Sequence, residues 1–121
     1  MASILSLGNR LFRTRNPARD AQTDLDRFMT VRRSILSAID SANRERQGLQ
    51  QRVDVYYAQA TNLLDNSAEY GARSDHEELA IQDAERSAAA ASARIKQISE
   101  QIDQLNQMLA TVDEAVNGDA A

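Results

Sequence analysis

The side chains best suited to chemistry in this sequence are one histidine and the carboxylates beside it. His76 follows Asp75 and precedes Glu77 and Glu78, and imidazole and carboxylate groups are common ligands of divalent metals. A metal site needs ligands that converge from more than one turn or element, however, and the sequence contains no HxxxH, CxxC or ExxH spacing. We therefore expect no metal and no cofactor, and we interpret the acids as favourable charge at a helix start.

Nucleophilic and nucleotide chemistry lack the residues they need. With one histidine and no cysteine, no Ser-His-Asp or Cys-His set can be assembled, and the four glycines are isolated rather than gathered in a phosphate-binding loop. Tyr56, Tyr57 and Tyr70 could stack on bases, but the chain around them is acidic. We therefore expect that the chain is not an enzyme and that it does not bind nucleic acid.

Charge is divided unevenly along the chain. Residues 1–52 carry ten arginines against five acids, whereas residues 53–121 carry four basic groups against thirteen acids. If the chain folds back on itself the two halves attract each other, and complementary flanking charges then set the pairing and orientation of helices. The alternative is a basic segment that is kept for an anionic surface.

Two stretches repeat apolar residues at alternating spacings of three and four, which is typical of the inward a and d positions of a coiled coil. We call these positions the seam. The first stretch consists of ten apolar residues and two arginines: Leu25, Phe28, Arg32, Ile35, Ile39, Ala42, Arg46, Leu49, Val53, Tyr56, Ala60 and Leu63. The second stretch is apolar throughout: Ile81, Ala84, Ala88, Ala91, Ile95, Ile98, Ile102, Leu105, Leu109, Val112 and Val116. The pattern predicts two helices that face each other.

Capping residues predict where these helices begin and end. Asn16 can cap a helix whose first position is Pro17, where the missing amide of proline has no cost. Gly71 favours a helix end through the left-handed conformation. Ser74 and Glu77 have the spacing of a capping box, so the second helix is expected to begin directly after a turn of about four residues.

The predicted fold is all-α, an antiparallel two-helix coiled-coil hairpin with a short N-terminal amphipathic helix. In such a hairpin the numbers of facing residues add to a constant, here 144, which places Ala42 opposite Ile102 and Ile39 opposite Leu105. Gly118 is expected to end the second helix. The predicted parts are an amphipathic segment 1–16, a hairpin 17–117 made of helix 17–70, turn 71–74 and helix 75–117, and a tail 118–121.

A stripe of apolar residues lies beside the first seam. Met29, Leu36, Tyr57 and Leu64 each follow a seam residue, and we call them the apolar stripe. A lone two-helix hairpin leaves most of each helix in water, while ordering the backbone costs about 1–2 kcal/mol per residue. We therefore expect self-association into a four-helix bundle or a larger array through the stripe. The alternative is that these are scattered surface residues of no consequence.

Two arginines interrupt the first seam. An unpaired charge at such a position would be costly, so the head groups of Arg32 and Arg46 either reach out to water, which we favour, or meet acids. A single basic residue in a seam commonly sets register and oligomeric state. We therefore predict that both arginines set the register of the helix pair rather than bind a ligand.

Residues 1–16 carry an amphipathic pattern. A helical projection separates apolar residues from a polar face that contains two arginines, and we predict membrane contacts for Ile4, Leu5, Leu7, Leu11, Phe12, Arg10 and Arg13. Binding to anionic lipid should be weak for one copy and stronger for an oligomer that displays many. Three alternatives stay open: docking onto the hairpin as a third helix, a frayed tail, and a transit peptide, which four arginines and no acid in residues 1–19 suggest.

Three groups of residues carry a family resemblance: Ile4 to Phe12, then Ala58, Ala60, Leu63 and Leu64, and then Glu77-Glu78-Leu79-Ala80. In these positions the chain resembles the phage shock protein A family, the bacterial relatives of ESCRT-III. That family places a short amphipathic helix before a long coiled-coil hairpin that polymerises on membranes. The resemblance implies peripheral membrane remodelling or protection.

The leading hypothesis is a non-enzymatic coiled-coil protein that assembles with itself. It would be cytoplasmic and peripheral to the inner face of a membrane, which it contacts through its N-terminal segment. No apolar run approaches the roughly 20 residues of a bilayer span. The alternative is a soluble adaptor, stalk or chaperone hairpin that binds another, unidentified protein of a secretion or motility machine. The sequence leaves the biological process, the partner and the oligomer size open.

Overall fold

The described residues form an all-α helical hairpin. The computed structural model describes residues 16–70 and 74–120, with the side chains of 16–66 and 74–118. Helix α1 spans Pro17–Tyr70 and helix α2 spans Asp75–Ala120. The two helices pack against each other, and this part of the chain contains no strand.

Helix α1 begins at an asparagine cap. The Asn16 side-chain oxygen accepts a hydrogen bond of 2.9 Å from the Ala18 amide, and the Asn16 carbonyl accepts one of 3.0 Å from the Asp20 amide. Pro17 occupies the first helical position, where no donor is needed. A cap of this kind contributes about 1 kcal/mol, and the predicted role of Asn16 is confirmed.

Helix α2 begins at a serine cap. The Ser74 hydroxyl oxygen accepts a hydrogen bond of 3.1 Å from the Glu77 amide, and the Ser74 carbonyl accepts one of 3.0 Å from the Glu78 amide. Acidic residues fill the first turn, where the exposed amides favour negative charge. Gly71, predicted to end α1, lies outside the described residues.

The second helix continues past its predicted end. Gly118 lies inside α2, which runs to Ala120, and its backbone does not adopt the left-handed conformation. The predicted end at residue 117 is therefore wrong, because residues 118–120 of the predicted tail are helical. A glycine permits the left-handed conformation without requiring it, and its cost inside a helix is only about 1 kcal/mol relative to alanine.

Contacts divide the hairpin into two units. The central unit is Ala38–Asn106, and the terminal unit combines the described residues up to Ser37 with those from Gln107 onward. Both helices contribute to each unit, because a residue of a helix pair contacts only the neighbouring stretch of the partner helix. Residues 17–117, predicted as one hairpin, thus hold two separate sets of contacts.

The buried core of the described residues lies in the central unit. Ile98, only 1% exposed, clusters with Ala42 and Ile102, and Leu49 packs against them. The other seam positions of this unit are buried or half-buried. Five of the nine buried apolar residues are alanines, which let two helices approach closely. The nine are Ala42, Val53, Ala60, Ile81, Ala84, Ala88, Ala91, Ile98 and Ile102.

The terminal unit has a looser seam. Its described seam residues are all half-buried, and none is fully buried: Leu25, Phe28, Arg32, Ile35, Leu109, Val112 and Val116. Large side chains face each other here and one of them is charged, so this stretch of the helix pair leaves apolar surface accessible to water.

Candidate interaction surfaces

The seam arginine of the terminal unit pairs with an acid of the partner helix. Arg32 Nε donates a hydrogen bond of 2.8 Å to Asp113 Oδ1, and both side chains are partly buried. Asp113 directly follows Val112, the residue predicted opposite Arg32. We favoured an Arg32 head group that reaches out to water, and this prediction is wrong. The register of the two helices brings the Asp113 carboxylate within hydrogen-bonding distance of Arg32.

The seam arginine of the central unit binds neutral oxygens. Arg46 Nη1 donates to Ser99 Oγ at 3.2 Å, and its Nη2 donates to Asn43 Oδ1 at 2.7 Å. Ser99 directly follows Ile98, the residue predicted opposite Arg46. Both seam arginines thus contact the residue that follows the predicted partner. Their role in setting the register stays a prediction. The contacts of both arginines with the other helix are compatible with it.

One flank of the central unit carries an ion pair across the helices. Arg94 Nη2 lies 3.2 Å from Glu45 Oε2, with about half of each side chain exposed. An exposed pair of this kind contributes about 0.2–1 kcal/mol. Glu45 and Arg94 also line an open groove, together with Ala38, Ser41, Ala42, Gln101 and Leu105.

The predicted apolar stripe is largely accessible. Met29 is half-buried, whereas Leu36, Tyr57 and Leu64 are exposed. Met29 and Leu36 belong to the terminal unit, and Tyr57 and Leu64 belong to the central unit. These exposed residues are available for a further contact, as the prediction of an oligomer surface requires.

Sequence reasoning missed four other exposed apolar residues: Val31, Val55, Leu79 and Met108. Val31 precedes the seam residue Arg32, and Met108 precedes the seam residue Leu109. That spacing was the available signal, because the residue before a seam position flanks the seam just as the residue after it does. The prediction considered only the positions that follow seam residues.

The remaining candidates give no composite site in the described part of the chain. His76 is exposed at the start of α2, and no group of three histidine, aspartate or glutamate side chains among the described residues is placed to hold a metal ion. The predicted membrane contacts lie outside the described residues: Ile4, Leu5, Leu7, Leu11, Phe12, Arg10 and Arg13.

Within the described residues, neither helix has an apolar stretch of the length and hydropathy that a bilayer span requires.

Comparison with known proteins finds no relative. No family model, no curated protein and no solved structure matches this chain.

Proposed function

We propose that this chain is a non-enzymatic coiled-coil protein that assembles with itself and attaches to an anionic membrane surface through residues 4–13. The observation that carries the proposal is the accessible apolar stripe. The seam is already occupied by the partner helix, yet Leu36, Tyr57 and Leu64 remain exposed beside it. Self-association removes such surface from water at a gain of about 25 cal/mol per Å².

The contacts of the central unit support an antiparallel coiled coil. Glu45 and Arg94 both precede seam residues, and they pair with each other. Positions that precede the seam on two helices meet when the helices run in opposite directions, whereas parallel helices bring a preceding position against a following one. The short interval between Tyr70 and Asp75 supports the same direction of return.

Light scattering of the purified chain tests self-assembly. The proposal predicts a mass that exceeds the 13.4 kDa of one chain and rises with concentration. Substitution of Leu36 and Tyr57 by glutamate should lower that mass, because it places four charges in a twofold contact. A wild-type mass of one chain at every concentration would contradict the proposal.

Co-sedimentation with anionic vesicles tests the membrane contact. The double substitution Leu7→Asp with Leu11→Asp should abolish pelleting, because it places charge on the apolar face of the N-terminal segment. Ser6→Asp with Asn9→Asp is the matched control, since it adds the same charge to the polar face and should weaken pelleting much less. Equal pelleting of the apolar-face variant and the wild type would remove the membrane part of the proposal.

The resemblance to the phage shock protein A family agrees with this proposal. Under the proposal, the chain lies in the cytoplasm at the inner face of a membrane.

The alternative function is an adaptor, stalk or chaperone hairpin that binds another protein of a secretion or motility machine. The exposed Tyr57 and Leu64 of the apolar stripe favour it, because they offer apolar contacts that do not involve the N-terminal segment. Under that alternative, anionic vesicles leave the chain in the supernatant.

A further inference from the structure

The last turn of helix α2 contains an asparagine followed by a glycine. The chain has seven asparagines, and Asn117 is the only one of them that precedes a glycine. A glycine has no Cβ, so its backbone can approach a neighbouring group closely. The backbone nitrogen of Gly118 can therefore reach the side-chain amide of Asn117 whenever the helix is open at this point.

An asparagine side chain that is reached in this way loses ammonia. The Gly118 backbone nitrogen attacks Asn117 Cγ and forms a nitrogen–carbon bond. The bond between Cγ and Nδ2 breaks, and the amide hydrogen of Gly118 leaves with that nitrogen as ammonia. Water then adds to a carbonyl of the resulting cyclic imide, and ring opening leaves aspartate or isoaspartate at position 117. The reaction needs water and no further side chain.

The helical conformation opposes this reaction. Gly118 lies inside α2, and in an α-helix the amide of each residue donates to the carbonyl four residues earlier, here that of Glu114. This hydrogen bond keeps the Gly118 nitrogen in the helix backbone and away from the Asn117 side chain. Asn117 therefore reacts only in molecules whose helix end is open.

Little packing holds this helix end closed. Val116, the last seam residue of α2, is only half-buried, and Asn117 and Gly118 are exposed. A side-chain carbon added at Gly118 would meet no described atom within 4 Å. Helix ends open at low cost when no packed side chain has to move. The open conformation that the reaction needs is therefore well populated in the folded chain.

We propose that Asn117 is a site of spontaneous deamidation and that opening of the last turn of α2 controls its rate. The inference goes beyond the proposed function and depends neither on self-assembly nor on membrane contact. The product carries a negative charge one turn after Glu114, at a helix end whose exposed carbonyls disfavour anions. Modification should therefore loosen α2 beyond Val116.

Peptide mapping of the full chain after incubation at physiological temperature and pH tests the inference. No lysine or arginine follows Lys96, so trypsin releases residues 97–121 as one peptide. Asn106 in the same peptide is the internal control, because it is exposed inside α2 and precedes a glutamine. Aspartate and isoaspartate should accumulate at least about tenfold faster at position 117 than at position 106. Equal rates at the two positions overturn the inference.

Gly118→Ala is the matched variant. The space around residue 118 accommodates a methyl group, and alanine favours the closed helix over the open end. Deamidation of Asn117 should slow at least about fivefold, the factor that corresponds to the helix preference of alanine over glycine. A variant that is modified as fast as the wild type overturns the inference.

Denaturant separates the role of the helix from that of the sequence. In urea that unfolds the chain, every molecule presents the open conformation, and Asn117 should react about 3–10-fold faster than in native buffer. An equal rate in both solutions shows that the helix end does not control the reaction. A reaction that occurs in urea but not in native buffer shows that α2 stays closed at Asn117. Either result overturns the inference.

Asn117→Asp carries the charge of the product from the start. Backbone amides of residues 117–120 should exchange with solvent at least about twofold faster in this variant than in the wild type, while those around Ile98 keep their rate. Unchanged exchange at the helix end overturns the predicted loosening.

Discussion

The central and terminal units are built from the same two helices and the same seam spacing, yet only the central unit encloses fully buried side chains. Its seam is rich in alanine, whose small side chain lets the two helices approach closely. Ala88 and Ala91 are buried there. The terminal seam consists of larger residues and an Arg32–Asp113 ion pair, and its apolar side chains stay half-buried. Small residues therefore allow two helices to close a core by themselves, whereas larger residues leave apolar surface that a further layer can cover.

The largest effect is expected from the centre of the buried cluster. Ile98→Ala should lower the free energy of unfolding by about 2–5 kcal/mol, because it leaves a cavity among Ala42, Ile102 and Leu49. Ile35→Ala in the terminal unit should cost less than half as much in dilute protein, because Ile35 is half-buried. Urea unfolding of both variants gives the two values. Equal losses of unfolding free energy in the two variants would contradict the difference in burial between the central and terminal units.

Overpacking tests the alanine seam directly. Ala88 has no exposed surface, so Ala88→Leu should destabilise the chain by about 1–3 kcal/mol. The neighbouring Ala89 is exposed, and Ala89→Leu should change stability by less than about 0.5 kcal/mol. Thermal unfolding followed by circular dichroism measures both. A neutral Ala88→Leu variant would show that the helices are not in close approach at this layer.

The serine cap offers a smaller effect that is local to the central unit. Ser74→Ala removes the oxygen that accepts the Glu77 amide, and it should cost about 1 kcal/mol. Ser74→Asp retains an acceptor and should stay close to the wild type. Urea unfolding distinguishes the two variants, and an alanine variant as stable as the aspartate variant would rule out a capping contribution.

The smallest effect concerns the ion pair of the terminal unit. A double-mutant cycle with Arg32→Met and Asp113→Asn should give a coupling energy of about 0.5–1 kcal/mol, since both groups are partly exposed. The coupling should shrink in high salt. A value near zero in low salt would show that Asp113 contributes nothing to the position of Arg32.

The sequence predicts much of the hairpin because its signals are local and repeated. Seam spacing identifies the residues that face inward, and short-range hydrogen bonds make Asn16 and Ser74 recognisable as caps. The same register also predicts the partner of Arg32. A constant sum of 144 places Val112 opposite Arg32, and Asp113 directly follows Val112.

Other features depend on context that spacing does not contain. Gly118 stays helical because a glycine only permits a helix end. Whether a seam residue is fully buried depends on how closely the two helices approach, which the side chains of both helices decide together. Val31 and Met108 precede seam residues, whereas the predicted apolar stripe contains only residues that follow them.

Hydrogen exchange as a function of protein concentration shows whether a further layer covers the looser seam of the terminal unit. Amides of the terminal unit should exchange fast in dilute protein and become at least about tenfold more protected on concentration, while those around Ile98 keep the same protection throughout. Amides of the terminal unit whose exchange rate does not change with concentration would contradict self-association through this unit.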